Sequence, residues 1–245
     1  MSDRPSSRIG AATGLAYVLL VFAGNAIATS GSTADEHSSG AEILRDLQAH
    51  HGSAFYVGTA MELLGFAALL GFVAYLASVL REAEGEHGWL WLTALGGGLL
   101  TLAIKLSSAA PILAAVWRVD DLDATTARTL VDINSFAFFV SFATFALLVG
   151  PAAVVALRTG LLPRWLAMAG VVLSAAQLVT MAFGITPAAV VPFMLSVLWL
   201  GAVSAVLVRH AHAAIGGPSR STGGMGASAQ SGTGTPARSA AIRAK

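Results

Sequence analysis

Apolar runs long enough to cross a bilayer recur six times in this chain of 245 residues, and that recurrence decides the fold class. At 1.5 Å of rise per residue, a helix needs about 20 residues to cross some 30 Å of hydrocarbon. The runs read as helices over roughly residues 9–29, 54–80, 89–117, 124–157, 165–185 and 192–208. Only 11% of the chain is charged and 56% is hydrophobic, whereas a soluble domain is about a quarter charged. The expected class is therefore all-α: a polytopic membrane protein whose six spans form three antiparallel hairpins.

Basic residues set the expected orientation, because cytoplasmic loops carry the excess of Lys and Arg. With the N-terminus inside, ten of them fall in the cytoplasm: Arg4, Arg8, Arg81, Arg158, Arg164, Arg209, Arg220, Arg238, Arg243 and Lys245. Three fall outside, Arg45, Arg118 and Arg128, and Lys105 stays within a span. Both termini are thus expected in the cytoplasm. Residues 1–8 form a short inner segment and 9–210 the membrane domain. Residues 211–245, a Gly/Ser-rich stretch with basic and no acidic residues, form a tail too polar to fold. Arginine outnumbers lysine 12 to 2, as in GC-rich bacterial genomes, and the expected location is a bacterial inner membrane. The first span ends in Ala26-Ile27-Ala28, a pattern that signal peptidases read. Its apolar stretch is long for a signal peptide and five spans follow, so the reading is an uncleaved helix.

Local signals refine the picture. Asp123 is placed to cap the fourth span, and Pro111 to kink the third near its outer end. In the first outer loop, residues 30–53, "AEILRDLQAHH" predicts a short amphipathic helix with Ile43, Leu44 and Leu47 on one side. Trp89, Trp91, Trp117 and Trp165 lie at expected interfaces, where tryptophan anchors helices.

Charge inside a span is the main functional signal. Glu62 lies about eight residues, or roughly 12 Å, into the second span. Gly58, Gly65 and Leu69 share its face, and small residues mark a helix face packed on neighbours. Lys105 lies about twelve residues, roughly 18 Å, below the outer end of the third span, and its stem can snorkel outward. Gly98, Thr101, Ser108 and Ala109 share its face. A lone charge at a helix centre costs on the order of 2.5–3.5 kcal/mol, so Glu62 and Lys105 are expected to pair. Asn25, Asp132, Asn134, Ser135 and Gln177 place further polar groups in the same outer-half layer.

Two readings of that layer stand. Buried polar groups hold membrane bundles together, and they also form pockets for ligands or ions. The pocket reading takes a small apolar or amphiphilic ligand on the outer side. Phe138, Phe142 and Phe145 share one face of the fourth span, more simply as packing than as a stacking wall.

Other chemistry is weakly represented. There is no cysteine, which removes disulfides and thiolate sites. The six histidines lie outside the spans, so axial haem ligation between helices is not expected. No cofactor, metal site or nucleic-acid partner is expected, and no phosphate loop, nucleophile elbow or zinc-protease motif is present. The leading expectation is a non-catalytic accessory, sensor or envelope protein with bilayer and membrane-protein partners. A small-molecule or proton-coupled transporter using Glu62, Lys105 and Asp132 is the alternative, and an intramembrane enzyme the second.

Four stretches carry a family resemblance: "RIGAATGLAYVLLVFAGNAIA", "AEILRDLQAHHGSAFYVGTAMELLGF", "TLVDINSF" and "ALRTGLLPRWLAMAGVVL". In this order the chain resembles bacterial six-helix membrane proteins of the Domain of Unknown Function 4386 type, over about residues 8–210. Glu62 matches the acidic residue early in the second helix, and Asp132 and Asn134 match the step that opens the fourth. "GLLPRWL" matches the entry to the fifth. Lys105 has no counterpart in that pattern. The resemblance implies a six-helix fold in the inner membrane and no particular activity.

Overall fold

The computed structural model describes residues 4–35, 37–85, 87–184 and 186–216, and within them the chain is helical with no strand. The helices are α1 (Arg4–Ala28), α2 (Gly40–His50), α3 (Ser53–Glu84), α4 (Leu90–Trp117), α5 (Ala124–Thr159), α6 (Arg164–Thr180) and α7 (Pro187–Gly216). A single 3₁₀ turn, Met181–Phe183, extends α6. All except α2 are long and apolar enough to cross a membrane, which makes six among the described residues.

Each of these six helices falls on an expected span, and several run further. α7 starts at Pro187, a residue suited to a first helical position, and carries Pro192 inside it. It continues to Gly216, so residues 211–216 belong to the helix, and the rest of the expected tail lies outside the described residues. α5, with 36 residues, is about 54 Å long and exceeds the hydrocarbon thickness. α4 continues through Pro111 to Trp117.

The ends are built as the local chemistry requires. The Asp123 carboxylate accepts the Thr125 and Thr126 N–H groups at 2.8 and 3.0 Å, satisfying two of the four donors a helix start leaves open. Ser39 and Glu42 form a reciprocal capping box on α2. Glu84 reaches past the end of α3 to accept from Leu90 N and Trp91 N at 3.1 and 2.9 Å, so it caps α4.

Packing closes the spans into a ring. α1 lies on α3, followed around by α4, α5, α6 and α7, and α7 returns to α1. Phe72, Phe142, Phe145, Leu69 and Leu200 fill the interior, while Leu19, Leu64, Val172, Trp165 and Trp117 are exposed. A broad apolar outer surface suits lipid as solvent. Within the ring, close backbone approach depends on glycine. A Cβ on Gly24 would stand 2.7 Å from the Gly58 carbonyl oxygen, so α1 and α3 touch backbone to backbone there.

α7 meets α1 through a side chain placed in a backbone ladder. The Ser204 hydroxyl donates to the Ala11 carbonyl and accepts the Leu15 N–H at 3.0 Å. Ala11 and Leu15 are one helical turn apart, so the hydroxyl bridges an i to i−4 step of α1. Gly14 makes room for it, since a Cβ there would stand 2.8 Å from Ser204 Cβ.

Candidate functional site

Glu62 owes its position to the same glycines. Gly58 and Gly65, on its face of α3, pack on α1 against Gly24, Ala28 and Val21. This inward face meets α1, not α4. Glu62 is half-buried at the crossing, and its Cγ would lie 2.9 Å from a Cβ on Gly24. Asn25 of α1 places its carboxamide beside the carboxyl group of Glu62, and Tyr17, two turns earlier on α1, is only 2% exposed.

Lys105 comes from α4, in a buried stripe with Gly98, Thr101 and Ser108. Gly98 sits against Val73 of α3, and Thr101 donates to Thr144 of α5 at 2.9 Å, which turns the stripe into the bundle. The Lys105 ammonium lies 3.5 Å from the centroid of the Phe138 ring and 4.9 Å from that of Phe193. Ring faces stabilise a desolvated cation by about 2 kcal/mol. Among the described residues Lys105 and Glu62 make no direct ion pair. The direct pair expected from the sequence is thus not formed, and two aromatic faces hold the ammonium instead. Those rings belong to a larger cluster. Phe142 stacks on Phe193 at 4.5 Å between centroids, and Phe145 lies at 5.2 Å from Phe193. The shared phenylalanine face is packing around the lysine.

The rest of the expected layer divides. Asp132 is not joined to Glu62 or Lys105; the Arg128 Nε donates to both its carboxylate oxygens at 3.0 and 3.1 Å, one turn back on α5. Arg128 also donates to the Ser38 carbonyl, so this pair ties α5 to the segment before α2. The Asn134 carboxamide donates to the Ser108 carbonyl at 2.8 Å and links α5 to α4 one turn from Lys105. Gln177 is fully buried on α6, and neither atom of its amide has a partner among the described residues. It continues the inward stripe of Gly170 and Ser174, the latter donating to Ala146 of α5 at 2.9 Å.

A second polar cluster lies outside the spans. Asp46 of α2 accepts the Ser32 hydroxyl at 2.6 Å and the Thr33 N–H at 2.9 Å, with His50 Nδ1 at 3.3 Å. Burial alone raises this carboxyl, but the bonds from Ser32 and Thr33, the His50 charge and the Ala34 N–H outweigh it and hold the group below its ordinary value. Surface clefts lie on both sides of α2, one lined by Thr33, Glu42, Arg45 and Asp46, the other by Gly40, Ala124, Arg128 and Thr129.

Sequence reasoning missed Tyr17 and Phe193. The signal for Tyr17 was its spacing, two turns from Asn25 on the side of α1 that carries Gly14 and Gly24. No local pattern points to Phe193, which meets Lys105 from 88 positions away. Among the described residues, no three His, Asp or Glu side chains are grouped to hold a metal ion. Comparison with family models, curated proteins and solved structures finds no match for this chain.

Proposed function

We propose that this chain is a non-catalytic, multi-pass protein of a bacterial inner membrane that binds a small polar group in the outer half of its helix ring. One observation carries the reading. Lys105, 9% exposed, holds its ammonium over the Phe138 and Phe193 rings and makes no hydrogen bond or ion pair among the described residues, and the fully buried Gln177 has neither amide atom partnered there. Structural glue in a membrane bundle saturates its polar groups on one another, as Asn134 and Ser174 do. Buried polar groups left open in this way are suited to receive a guest.

The proposal includes three antiparallel hairpins with both termini in the cytoplasm, supported by the ten-to-three basic count. It keeps α1 in the working protein, since Tyr17 and Asn25 belong to the site and Ser204 is built into α1. Six helices long and apolar enough to cross a membrane are what the resemblance to the Domain of Unknown Function 4386 type implies, and the inner-membrane location is proposed with it. No activity comes with that resemblance.

The chain has no cysteine, so single introduced thiols report cleanly. Asn25→Cys in intact cells should react with a membrane-impermeant thiol reagent applied from outside. Arg81→Cys should react only after the inner face is opened. Protection of Asn25→Cys from both sides, with full reaction after denaturation, would leave a sealed structural cluster and end this reading.

A further inference from the structure

We propose that the end of the helix ring carrying Arg8, Arg81, Arg158, Arg164 and Arg209 binds the headgroups of anionic phospholipids in the leaflet around it. The inference stands apart from the guest site above. Helix contacts bring these arginines to one end. Gly10 of α1 lies against Tyr75 of α3 and Gly24 against Gly58, so Arg8 stands where α3 ends with Arg81. Ser204 of α7 meets Ala11, which sets Arg209 at the same level as Arg8. Gly97 near the start of α4 meets Leu147 of α5, and Gly170 of α6 meets Ala153, which places Arg158 and Arg164 there too.

The charges at this end are unanswered. None of these guanidinium groups makes a hydrogen bond or ion pair among the described residues, and Arg8 buries its Nε without a partner there. Arg81 rests 5.4 Å from the centroid of the Trp91 ring, which holds the side chain in place and leaves its N–H edge open. Glu82 and Glu84 are the carboxylates at this end among the described residues. Glu84 is already taken up by the Leu90 and Trp91 N–H groups, at 3.1 and 2.9 Å. At the opposite end the balance reverses: Asp132 holds Arg128 at 3.0 Å, and Asp120, Asp121 and Asp123 follow Arg118.

Depth decides the occupant. Trp89 and Trp165, 67% and 69% exposed, stand at the arginine end, and exposed indoles settle at headgroup level. Arg164 adjoins Trp165, so its guanidinium shares that level with the lipid phosphates. A guanidinium grips a phosphate through two parallel N–H bonds. A zwitterionic headgroup brings its own ammonium into a field that is already positive, whereas an anionic one brings none. The chain also leaves α7 at this end, and residues 217–245 add four basic side chains and no acidic one to that field. A basic end orients a membrane protein. Guanidinium groups without carboxylates, at headgroup level, also select the lipid beside it.

The protein's own tryptophans can report the preference. Full-length protein is placed in bilayers of phosphatidylethanolamine and phosphatidylglycerol, and one of the two lipids carries dibrominated acyl chains that quench indole fluorescence. Trp117→Phe removes the exposed tryptophan of the opposite end, so Trp89, Trp91 and Trp165 report the arginine end while Trp199 stays buried. In that background phosphatidylglycerol should associate more strongly than phosphatidylethanolamine by about threefold or more, and high salt should weaken the preference. The pair Arg158→Gln, Arg164→Gln should reduce it. The pair Arg158→Lys, Arg164→Lys keeps the charge and should retain most of it. The converse reporter, with Trp89→Phe, Trp91→Phe and Trp165→Phe, leaves Trp117 and should show no preference for phosphatidylglycerol. Equal association of the two lipids at the arginine end would overturn the assignment. So would an equal preference at Trp117, or a preference that neither salt nor the glutamine pair reduces.

Discussion

Lys105 holds its ammonium 3.5 Å from the centre of the Phe138 ring, on the neighbouring helix α5. That contact, not a carboxylate, is the nearest answer to a positive charge buried within a membrane span. Replacing Phe138 by Leu preserves apolar bulk and removes the ring quadrupole. It should cost about 2 kcal/mol when Lys105 is present. In a Lys105→Met background the same change should cost clearly less, because the charge is gone. Thermal melts in detergent would measure both, and equal costs in the two backgrounds would mean that the ring serves packing alone.

The α1–α3 crossing predicts opposite outcomes for two glycines on one helix. A Cβ at Gly58 would stand 2.5 Å from the Gly24 carbonyl oxygen, a backbone atom that cannot swing away. Gly58→Ala should therefore destabilise by about 1–3 kcal/mol and disturb Glu62 one turn on. At Gly71 the nearest atoms are Thr13 side-chain atoms at 3.5 Å, an ordinary contact. Gly71→Ala should raise stability by up to about 1 kcal/mol through helix propensity. Equal effects at the two positions would show that the helices are not in backbone contact.

The segment around α2 has a pH dependence of definite sign. The Asp46 carboxyl is held below its ordinary value in the folded chain, so the segment binds more protons in acid when it is unfolded. The contribution of the Ser32–Thr33–Asp46 clamp is then full above the ordinary carboxylate pKa of about 3.9 and is lost as pH falls through the lower folded value. Hydrogen exchange over residues 30–50 should accelerate as pH falls below about 4, after correction for intrinsic rates, and Asp46→Asn should remove that acceleration. An unchanged profile in Asp46→Asn would place the titration elsewhere.

Much of this architecture is legible in one dimension because lipid leaves few options. A run such as 165–185 must be a helix to satisfy its own backbone, and Asp123 before "ATTARTLVDIN" caps the next one. The layer around Glu62 was legible only in part. Depth follows from counting residues, but partners depend on which helices adjoin and how each is rotated. Depth alone pairs Lys105 with Glu62, whereas rotation of α4 carries it to rings on α5 and α7. Asp132 shows the reverse case. Arg128 lies four residues before it, a spacing that marks a same-helix pair, and the structure contains that pair. Contacts such as Ser204 with Ala11 join positions 193 apart, and no local pattern foretells them.

The central claim is that Glu62 and Lys105 answer one another across a shared site while remaining open to a guest. A double-mutant cycle on thermal unfolding tests it most directly. Glu62→Gln and Lys105→Met should each destabilise the protein, since each leaves one charge facing a low-dielectric layer. The double variant should recover part of the loss, with a coupling energy of roughly 0.5–3 kcal/mol. Strictly additive effects would contradict the account, because two residues that share a site cannot be indifferent to each other's charge.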